Sequence, residues 1–269
     1  MSPVNLLPKN STRLRVETSN LIVSGISDVG LIRATNEDHI WIHDSGTVLL
    51  LADGMGGHER GDYASRIAVE TFSRLISPEI INEQAEHISV SEETPPEEAS
   101  FYTTISGAVH KAAAVMVERN SELNLSKYMG TTIVGCLISD DDKICWFHIG
   151  DSRVYRWRGN RLECLTVDHS AYAEWEKAGA SGPAPAKHYI TRVIGNKPDV
   201  EADIEWDEKK AGDIYLLCSD GLSDMITDAE IGEILGWGES IPDTAEILVN
   251  KALSAGGRDN ISVILCKIL

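Results

Sequence analysis

Short apolar runs of strand length recur along most of the chain, and turns rich in Asp, Gly and Asn separate them. The pattern predicts strands at 21–27, 39–43, 47–52, 132–139, 143–149, 153–158, 161–166, 204–206, 214–218 and 261–269. The runs between 132 and 166 are joined by such short turns that we expect them to form an antiparallel meander.

Apolar residues recur at helical spacing in several stretches between these strands. The spacing predicts helices from Ala64 to Ile76, ended by Pro78, and over 101–119, 229–235 and 244–253. The remaining segments are expected to form a loose arm over 1–20, an exposed, mobile acidic connection over 79–100 and a surface flap over 171–189.

Predicted strands come in runs, and predicted helices come in pairs between them. This order disfavours alternating β-α-β units with a parallel sheet. It favours antiparallel sheets that pack on each other under a cover of helices, which is an α+β fold. The expected organisation is the arm over 1–20 followed by one domain over 21–269.

The net charge narrows the range of partners. Asp and Glu number 42 and Lys and Arg 24, which leaves a formal charge of −18. A chain this acidic is a poor binder of nucleic acid or of anionic membrane, so we expect neither as a partner. Most of the surplus is typical of a soluble surface, but carboxylates that face one another would need cations.

The cysteines and the apolar runs indicate the compartment. The chain has five cysteines, with no C-x-x-C pair and no C-x5-R loop of the thiolate phosphatases. The apolar runs are too short to span a membrane, and Met1–Asn20 lacks the pattern of a secretory signal. We therefore expect a reducing, cytoplasmic setting.

Four aspartates stand at the ends of predicted strands. Asp53 and Asp220 follow apolar runs and precede Gly, Asp151 follows a third run, and Asp259 lies just before the run that begins at Ile261. Any one of them is more often a turn residue than a ligand. Strand ends can converge, however, and converging carboxylates repel unless they are protonated or paired with cations. Oxygen ligands without His or Cys suit Mg²⁺ or Mn²⁺.

The segment 33–38 adds a group of opposite charge. Arg33 offers a bidentate fork that matches phosphate oxygens, and Glu37 and Asp38 follow it. A surface Arg–Glu pair is the alternative interpretation. Two cations bridged by a carboxylate can lower the pKa of a shared water and place a hydroxide for in-line attack at phosphorus. Gly54, which has no Cβ, could offer its carbonyl as a further ligand.

These residues belong to an ordered motif set that resembles the metal-dependent type 2C (PPM) Ser/Thr protein phosphatases, and the compact bacterial single-domain members most of all. The motifs are Ser27-Asp28-Val29-Gly30 with Arg33-x-x-Asn36-Glu37-Asp38, Ala52-Asp53-Gly54-Met55-Gly56-Gly57-His58, Met129-Gly130-Thr131-Thr132, Gly150-Asp151-Ser152-Arg153, Leu165-Thr166-x-Asp168-His169-Ser170, Ile190-Thr191-Arg192-x-x-Gly195, Cys218-Ser219-Asp220-Gly221-Leu222 and Gly257-x-Asp259-Asn260. They cover nearly the whole chain after residue 20.

The resemblance implies two stacked antiparallel β-sheets, flanked on both sides by pairs of antiparallel helices, with a metal cleft at one end of the sandwich. Asp53 would bridge two Mn²⁺ or Mg²⁺ ions, and Gly54 would donate its carbonyl to one of them. Asp220 and Asp259 would complete the other metal site. Asp151 matches the ligand of a third, weaker metal.

The resemblance also implies the reaction. Arg33 would hold the phosphoryl group, while Glu37 and Asp38 would act through metal-bound waters. Phosphoserine or phosphothreonine would be hydrolysed directly by in-line attack of a metal-bridging hydroxide, without a phosphoenzyme. The implied partners are phosphoprotein substrates and a cognate Ser/Thr kinase, and we expect a monomer.

The chain departs from the family in ways that leave roles open. Met55 stands where the animal enzymes place a proposed general acid His, and His58 and His169 lie within matched motifs, so the general acid stays unassigned. The flap over 171–189 is short, and the acidic insert over 79–100 has no assigned role.

Two rival functions remain open. One is a pseudophosphatase that binds phosphoproteins without hydrolysis, which the intact Asp53, Asp220 and Asp259 disfavour. The other is a metal-dependent hydrolase of small phosphate esters.

Overall fold

The computed structural model describes residues 11–56, 60–87, 96–123 and 128–269. Its strands are β1 (Thr12–Glu17), β2 (Leu21–Asp28), β3 (Asp38–Ile42), β4 (Val48–Met55), β5 (Gly130–Thr131), β6 (Ile133–Ile138), β7 (Lys143–Ile149), β8 (Arg153–Arg158), β9 (Arg161–Cys164), β10 (Asp203–Glu208), β11 (Ile214–Cys218) and β12 (Ile261–Ile268). Its helices are α1 (Gly61–Leu75), α2 (Pro78–His87), α3 (Pro96–Glu122), α4 (Ala171–Lys177), α5 (Asp220–Ser223), α6 (Asp228–Gly236) and α7 (Ile241–Ser254).

The strands form two six-stranded sheets. One has the order β1-β2-β12-β11-β8-β9, and the other has the order β10-β7-β6-β4-β3 with the short β5 also paired to β4. Neighbouring strands in both sheets run antiparallel. The predicted α+β class with stacked antiparallel sheets is therefore confirmed.

Each inner strand is buried on both faces, which explains its continuous apolar sequence. In β4, Leu49 and Leu51 point into the core between the sheets. Val48, Leu50 and Ala52 point the other way, into a core shared with α1 and α3. A third core packs the opposite sheet against α6 and α7. The four layers follow from this alternation, since successive strand residues face opposite sides.

The predicted meander over 132–166 is wrong in one respect. The pairs β6–β7 and β8–β9 are antiparallel neighbours, but β7 and β8 lie in different sheets. The chain crosses between the sheets at Gly150, which has a φ of 108°. Gly150 also lies close to Thr132, because a Cβ built at Gly150 would be only 2.5 Å from the methyl carbon of Thr132. This crossing places Asp151 at the junction of the two sheets.

The expected loose arm needs correction where the structure describes it. Thr12–Glu17 pair with β2 along their whole length. Leu14 and Val16 alternate with polar residues and pack against the core between the sheets. Residues 1–10 lie outside the described residues.

The expected acidic connection and flap also contain helices. Pro78 begins α2 rather than ending the preceding helix, a position where proline costs no helical hydrogen bond. The connection is helical again from Pro96, and 88–95 lie outside the described residues. In the flap, Ser170 caps α4 by accepting a hydrogen bond from the N–H of Ala173 at 3.2 Å. No residue of α4 is buried, so the flap lies on the surface as predicted.

Within the described ranges, the helices are too short or too polar to cross a lipid bilayer.

Candidate metal centre and active site

One end of the sandwich gathers the acidic residues that flank the inner strands. Asp38 begins β3 and lies directly opposite Asp53 of β4 in the same sheet. In the facing sheet, Cys218 at the end of β11 pairs with Val263 near the start of β12. Asp220 follows β11 and Asp259 precedes β12, so these two acids also emerge at the same end. Stacking of the two sheets brings all four aspartates together.

A cleft of about 490 Å³ opens at this end. The residues that line it are Ile32, Arg33, Ala34, Thr35, Glu37, Asp53, Gly54, Met55, Gly56, Thr132, Ile190, Asp220, Asp259 and Asn260. Six of the eight residues singled out from the sequence therefore share one cavity. Asp38 is buried opposite Asp53 and does not line the cleft, and Asp151 lines a second cavity.

The carboxylates shift one another's pKa values. Burial, followed by the negative charges of Asp38 and Asp220, raises the pKa of Asp53 well above its usual range. Burial and the charge of Asp151 raise the pKa of Asp220 in the same direction. For Asp38, burial raises the pKa to about 6, although a hydrogen bond from Ser219 opposes the shift. Bringing these acids together is costly unless a cation or a proton accompanies them.

Hydrogen bonds from distant segments fix the backbone of Asp53 and the side chain of Asp38. The N–H of Asp53 donates to the hydroxyl of Thr132 at 3.0 Å, and its carbonyl accepts from the hydroxyl of Thr131 at 2.8 Å. The hydroxyl of Ser219 donates to Oδ2 of Asp38 at 2.8 Å. The other oxygen of Asp38 is buried and has no hydrogen-bond partner among the described residues.

The start of α1 forms a small cradle of oxygen atoms. A side chain built at Gly61 would lie 2.7 Å from Oε1 of Glu37 and 2.8 Å from the carbonyl oxygen of Gly54. These two oxygens therefore converge on one point beside the carboxylate cluster, and only a residue without Cβ fits there. The donor set consists entirely of carboxylate and carbonyl oxygens, which is the chemistry that Mg²⁺ and Mn²⁺ prefer.

Arg33 stands at the rim of this cluster. Its side chain is about half exposed, and Nη2 donates to Oδ2 of Asp259 at 2.7 Å. Burial alone would lower the pKa of Arg33, but the hydrogen bond and the charge of Asp259 outweigh it and raise the pKa. Arg33 therefore stays charged next to one of the candidate metal ligands.

Asp151 lies in a second cavity of about 520 Å³, which shares Asp220 with the first. Burial and the nearby charge of Asp168 raise the pKa of Asp151 to about 6. Its Oδ1 is buried and has no hydrogen-bond partner among the described residues. Arg153, two residues after Asp151, does not pair with Asp151. It forms a bidentate ion pair with Asp168 at 2.8 and 2.7 Å.

A separate group of possible metal ligands, His148, His169 and Asp203, lies away from the cleft. His169 stacks on His148 with ring centroids 4.4 Å apart and accepts a hydrogen bond from the N–H of Gly150. Asp203 forms an ion pair with Arg192, whose charge competes with any cation. None of the three residues lines the cleft, so this group is distinct from the carboxylate centre.

The candidates for a general acid are not brought to the cleft by the described structure. His169 is buried in the group that it forms with His148 and Asp203, and His58 lies outside the described residues. Met55 lines the cleft but has no proton to donate. The acid therefore stays unassigned.

Sequence reasoning missed the residues that position the acids. Thr132, Ser219 and Asn260 stand inside the quoted motifs, yet their roles depend on contacts between segments far apart in the chain. The only local signal is their position directly beside a candidate ligand or, for Thr132, at a predicted strand start.

Comparison with known proteins gives the family. The model of the family "Protein phosphatase 2C" matches residues 34–255. The protein phosphatase PhpP of Streptococcus pneumoniae serotype 2 is 35% identical over 254 residues, which cover 90% of this chain and 96% of PhpP. The serine/threonine phosphatase stp of Listeria innocua is 33% identical over 247 residues, covering 89% of this chain and 92% of stp.

Solved structures give the same result for the fold. The serine/threonine phosphatase PstP/Ppp of Mycobacterium tuberculosis superposes with a TM-score of 0.78 at 30% identity, covering 92% of this chain and 98% of that structure. The catalytic domain of PstP in complex with two manganese ions superposes with a TM-score of 0.76 at 31% identity, covering 93% and 99%. The chain belongs to the protein phosphatase 2C family, and the family resemblance found in the sequence is confirmed.

Proposed function

We propose that this chain dephosphorylates phosphoserine and phosphothreonine in proteins, using two Mn²⁺ or Mg²⁺ ions held in the carboxylate cleft. The observation that carries the proposal is the convergence of Asp53, Asp220 and Asp259 in one cavity. The raised pKa values of Asp53 and Asp220 show how unfavourable that convergence is for the protein alone. The manganese ions of the PstP structure support the choice of cation.

The proposed ligand roles are those that the family resemblance implies, and the shared cavity supports them. Asp53, at the centre of the cluster, would be shared by both cations. The carbonyl of Gly54 would complete one site, and Asp220 and Asp259 the other. Asp151 would hold a third, weaker cation, because it lines a cavity together with Asp220 and one of its carboxylate oxygens has no hydrogen-bond partner among the described residues.

The chain's own groups would bind and orient the phosphoryl group. When bound, a pair of such cations lowers the pKa of a water between them and neutralises phosphoryl oxygens. Arg33, charged and half exposed at the rim, would bind the phosphoryl oxygens through its fork of N–H donors. Glu37 and the unpartnered oxygen of Asp38 would orient water beside the cluster.

Direct hydrolysis fits the side chains of the cleft. No cysteine is among the described residues that line it. The hydroxyl of Thr132 is already engaged by the N–H of Asp53 and by Ser152 at 2.8 Å. The carboxylates that line the cleft are proposed to be engaged as cation ligands rather than as nucleophiles. Water activated between the cations is therefore the proposed nucleophile, as the family resemblance implies.

The rim of the cleft favours a protein substrate over a small phosphate ester. Ile32, which lines the cleft beside Arg33, is 71% exposed, and Tyr189, next to the lining residue Ile190, is 60% exposed. Exposed apolar groups around a polar cleft are typical of a surface that binds another protein. A phosphorylated kinase of the same cell is one such partner that the proposal includes. The described cysteines are all free thiols, which suits a reducing cytoplasm.

Turnover of a phosphopeptide and of free phosphoserine, with Mn²⁺ and with EDTA, tests the proposal. We expect Mn²⁺-dependent hydrolysis with a higher kcat/KM for the phosphopeptide. Binding of the phosphopeptide without turnover would identify a pseudophosphatase, and equal kcat/KM values would favour a hydrolase of small esters.

A further inference from the structure

The side chain of Asn260 holds three backbone groups of the segment that carries Arg33. Its Oδ1 accepts a hydrogen bond from the N–H of Glu37 at 2.8 Å. Its Nδ2 donates to the carbonyls of Val29 at 2.9 Å and Thr35 at 3.0 Å. Only 4% of Asn260 is exposed, so water does not replace these bonds easily.

The backbone of Asn260 contacts Asp259 and lies close to Gly221, which directly follows Asp220. Its N–H donates to Oδ1 of Asp259 at 2.9 Å. A Cβ built at Gly221, directly after Asp220, would lie 1.9 Å from the carbonyl oxygen of Asn260. Asn260 therefore lies where the ligand-bearing turns and the Arg33 segment meet.

The segment that carries Arg33 and the segment that precedes β12 also approach each other closely through their backbones. The N–H of Leu31 donates to the carbonyl of Gly257 at 2.8 Å. Gly30 has a φ of 77°, and a Cβ there would lie 2.2 Å from the carbonyl oxygen of Asp259. Segment 29–37 is consequently held against segment 257–260 at several points. The backbone supplies one of these hydrogen bonds, and the side chain of Asn260 supplies three.

We propose that Asn260 is a positioning residue that fixes the phosphate-binding Arg33 to the metal ligand Asp259, so that both sites are assembled before substrate arrives. The inference rests on the proposed function of the cleft. Arg33 itself is half exposed and reaches Asp259 through one ion pair, which is weak when solvated. Its position therefore depends on the backbone of 29–37, and Asn260 holds that backbone.

Asn120 provides a matched control. Its Nδ2 donates to the carbonyls of Met129 at 2.8 Å and Gly195 at 3.0 Å, and its Oδ1 accepts from the N–H of Met129 at 2.9 Å. Asn120 thus makes the same three kinds of bond between other segments. Asn120→Ala reports the loss of stability from such bonds without removing the hold on Arg33.

Hydrogen exchange of the full chain, with and without Mn²⁺, measures the hold directly. In Asn260→Ala we expect the N–H of Glu37 and its neighbours in 29–37 to exchange at least about tenfold faster than in the wild type. In Asn120→Ala we expect the increase at Met129 instead. Unchanged protection of 29–37 in Asn260→Ala would overturn the proposal.

A double-mutant cycle tests whether Asn260 acts through Arg33. The probe is the Kd for inorganic phosphate of the Mn²⁺-treated full chain, measured by calorimetry for wild type, Asn260→Ala, Arg33→Ala and the double variant. We expect each single change to weaken binding by about tenfold and the double variant to bind no more weakly than Arg33→Ala, because coupled residues are not additive. Losses that multiply would show that Asn260 does not position Arg33.

Two further results keep the inference separate from the proposed function. Asn260→Asp retains an acceptor for the N–H of Glu37 but loses both donors, so it replaces the alanine variant if that variant does not fold. We expect the same non-additive weakening of phosphate binding with it. If wild type binds phosphate with this coupling but hydrolyses no phosphopeptide, the proposed function fails and the role of Asn260 stands. If it hydrolyses phosphopeptide but the losses multiply, only the role of Asn260 fails.

Discussion

Asp53 occupies a position that is unfavourable for the stability of the fold when its side chain is ionised. It lies opposite Asp38 across the strand pair and near Asp220 from the other sheet. Burial and these charges raise its pKa well above the usual range, so its ionised form destabilises the protein at neutral pH when no cation is present. The proposed role of Asp53 as a cation ligand would account for this unfavourable position.

Replacing Asp53 by Asn should therefore separate stability from activity. We expect Asp53→Asn to abolish Mn²⁺-dependent hydrolysis, yet to stabilise the protein in EDTA at pH 7.5 by on the order of 1 kcal/mol, since it removes one repelling charge. Chemical denaturation measures the stability and phosphopeptide turnover the activity. Asp141→Asn, at an exposed hairpin tip, is the matched control and should change neither. Near-normal Mn²⁺-dependent activity of Asp53→Asn would contradict its role as the shared ligand.

Arg33 should affect binding more than turnover. In the proposed role, its fork of donors would contact phosphoryl oxygens in the ground state as well as in the transition state, so Arg33→Ala is expected to raise KM for a phosphopeptide about tenfold with a smaller change in kcat. Arg33→Lys keeps the charge but not the fork and should fall between. Steady-state kinetics in saturating Mn²⁺ measure both constants. A loss confined to kcat would assign Arg33 to the transition state alone.

At the scale of elements, the base of the flap is held by a group of neutral imidazoles. His148 of β7 pairs in register with Asp203 of β10, and His169 lies against both. Burial, with the neighbouring His148, lowers the pKa of His169 to about 4, and Arg192 adds to the effect. Burial also lowers the pKa of His148.

These lowered pKa values predict an acid-sensitive contact between the flap base and the sheet. A histidine whose folded pKa lies below its unfolded pKa of about 6.5 stabilises the fold above that pH, and the contribution is lost as the pH falls towards 4. The difference in unfolding free energy between wild type and His169→Gln should therefore shrink from pH 7 to pH 4. Denaturant titrations of both proteins measure it, and a pH-independent difference would contradict the prediction.

The helices and strands could be predicted where burial of one face produces a regular spacing of apolar residues in the sequence. The inner strand β4 and helix α7 bury whole faces, and their apolar spacing predicted both. The edge strand β1 was missed, although Leu14 and Val16 alternate, because one short period-two run in a polar arm is weak evidence. Helix α4 buries no residue, so only its cap at Ser170 marks it.

At the scale of the whole molecule, the site exists because two sheets bring their ends together. The sequence showed acids at strand ends, which was enough to predict a cluster, but not which strands share a sheet. The crossing at Gly150 and the bond from Ser219 to Asp38 link segments that are far apart in the chain. Residues of that kind have no local signature, so their positioning roles required the structure.

The cluster of carboxylates should make the proposed metal binding release protons. The pKa values of Asp38 and Asp151 are raised to about 6, and those of Asp53 and Asp220 are also raised well above the usual range. Folded-state pKa values above the unfolded value of about 4 mean that, without cations, these groups make the protein less stable as the pH rises through 6. Cations bind the ionised carboxylates, so bound protons must leave.

Calorimetric titration with Mn²⁺ in buffers of different ionisation enthalpy should detect those protons. We expect at least about one proton released per protein at pH 6 and fewer at pH 7.5, because more of the carboxylates are already ionised at the higher pH. Asp53→Asn should bind Mn²⁺ more weakly and release fewer protons, whereas Asp141→Asn should match the wild type. Heats that do not depend on the buffer at either pH would mean that the carboxylates are ionised before the cation binds, and that the protein tolerates their mutual repulsion by some other contact.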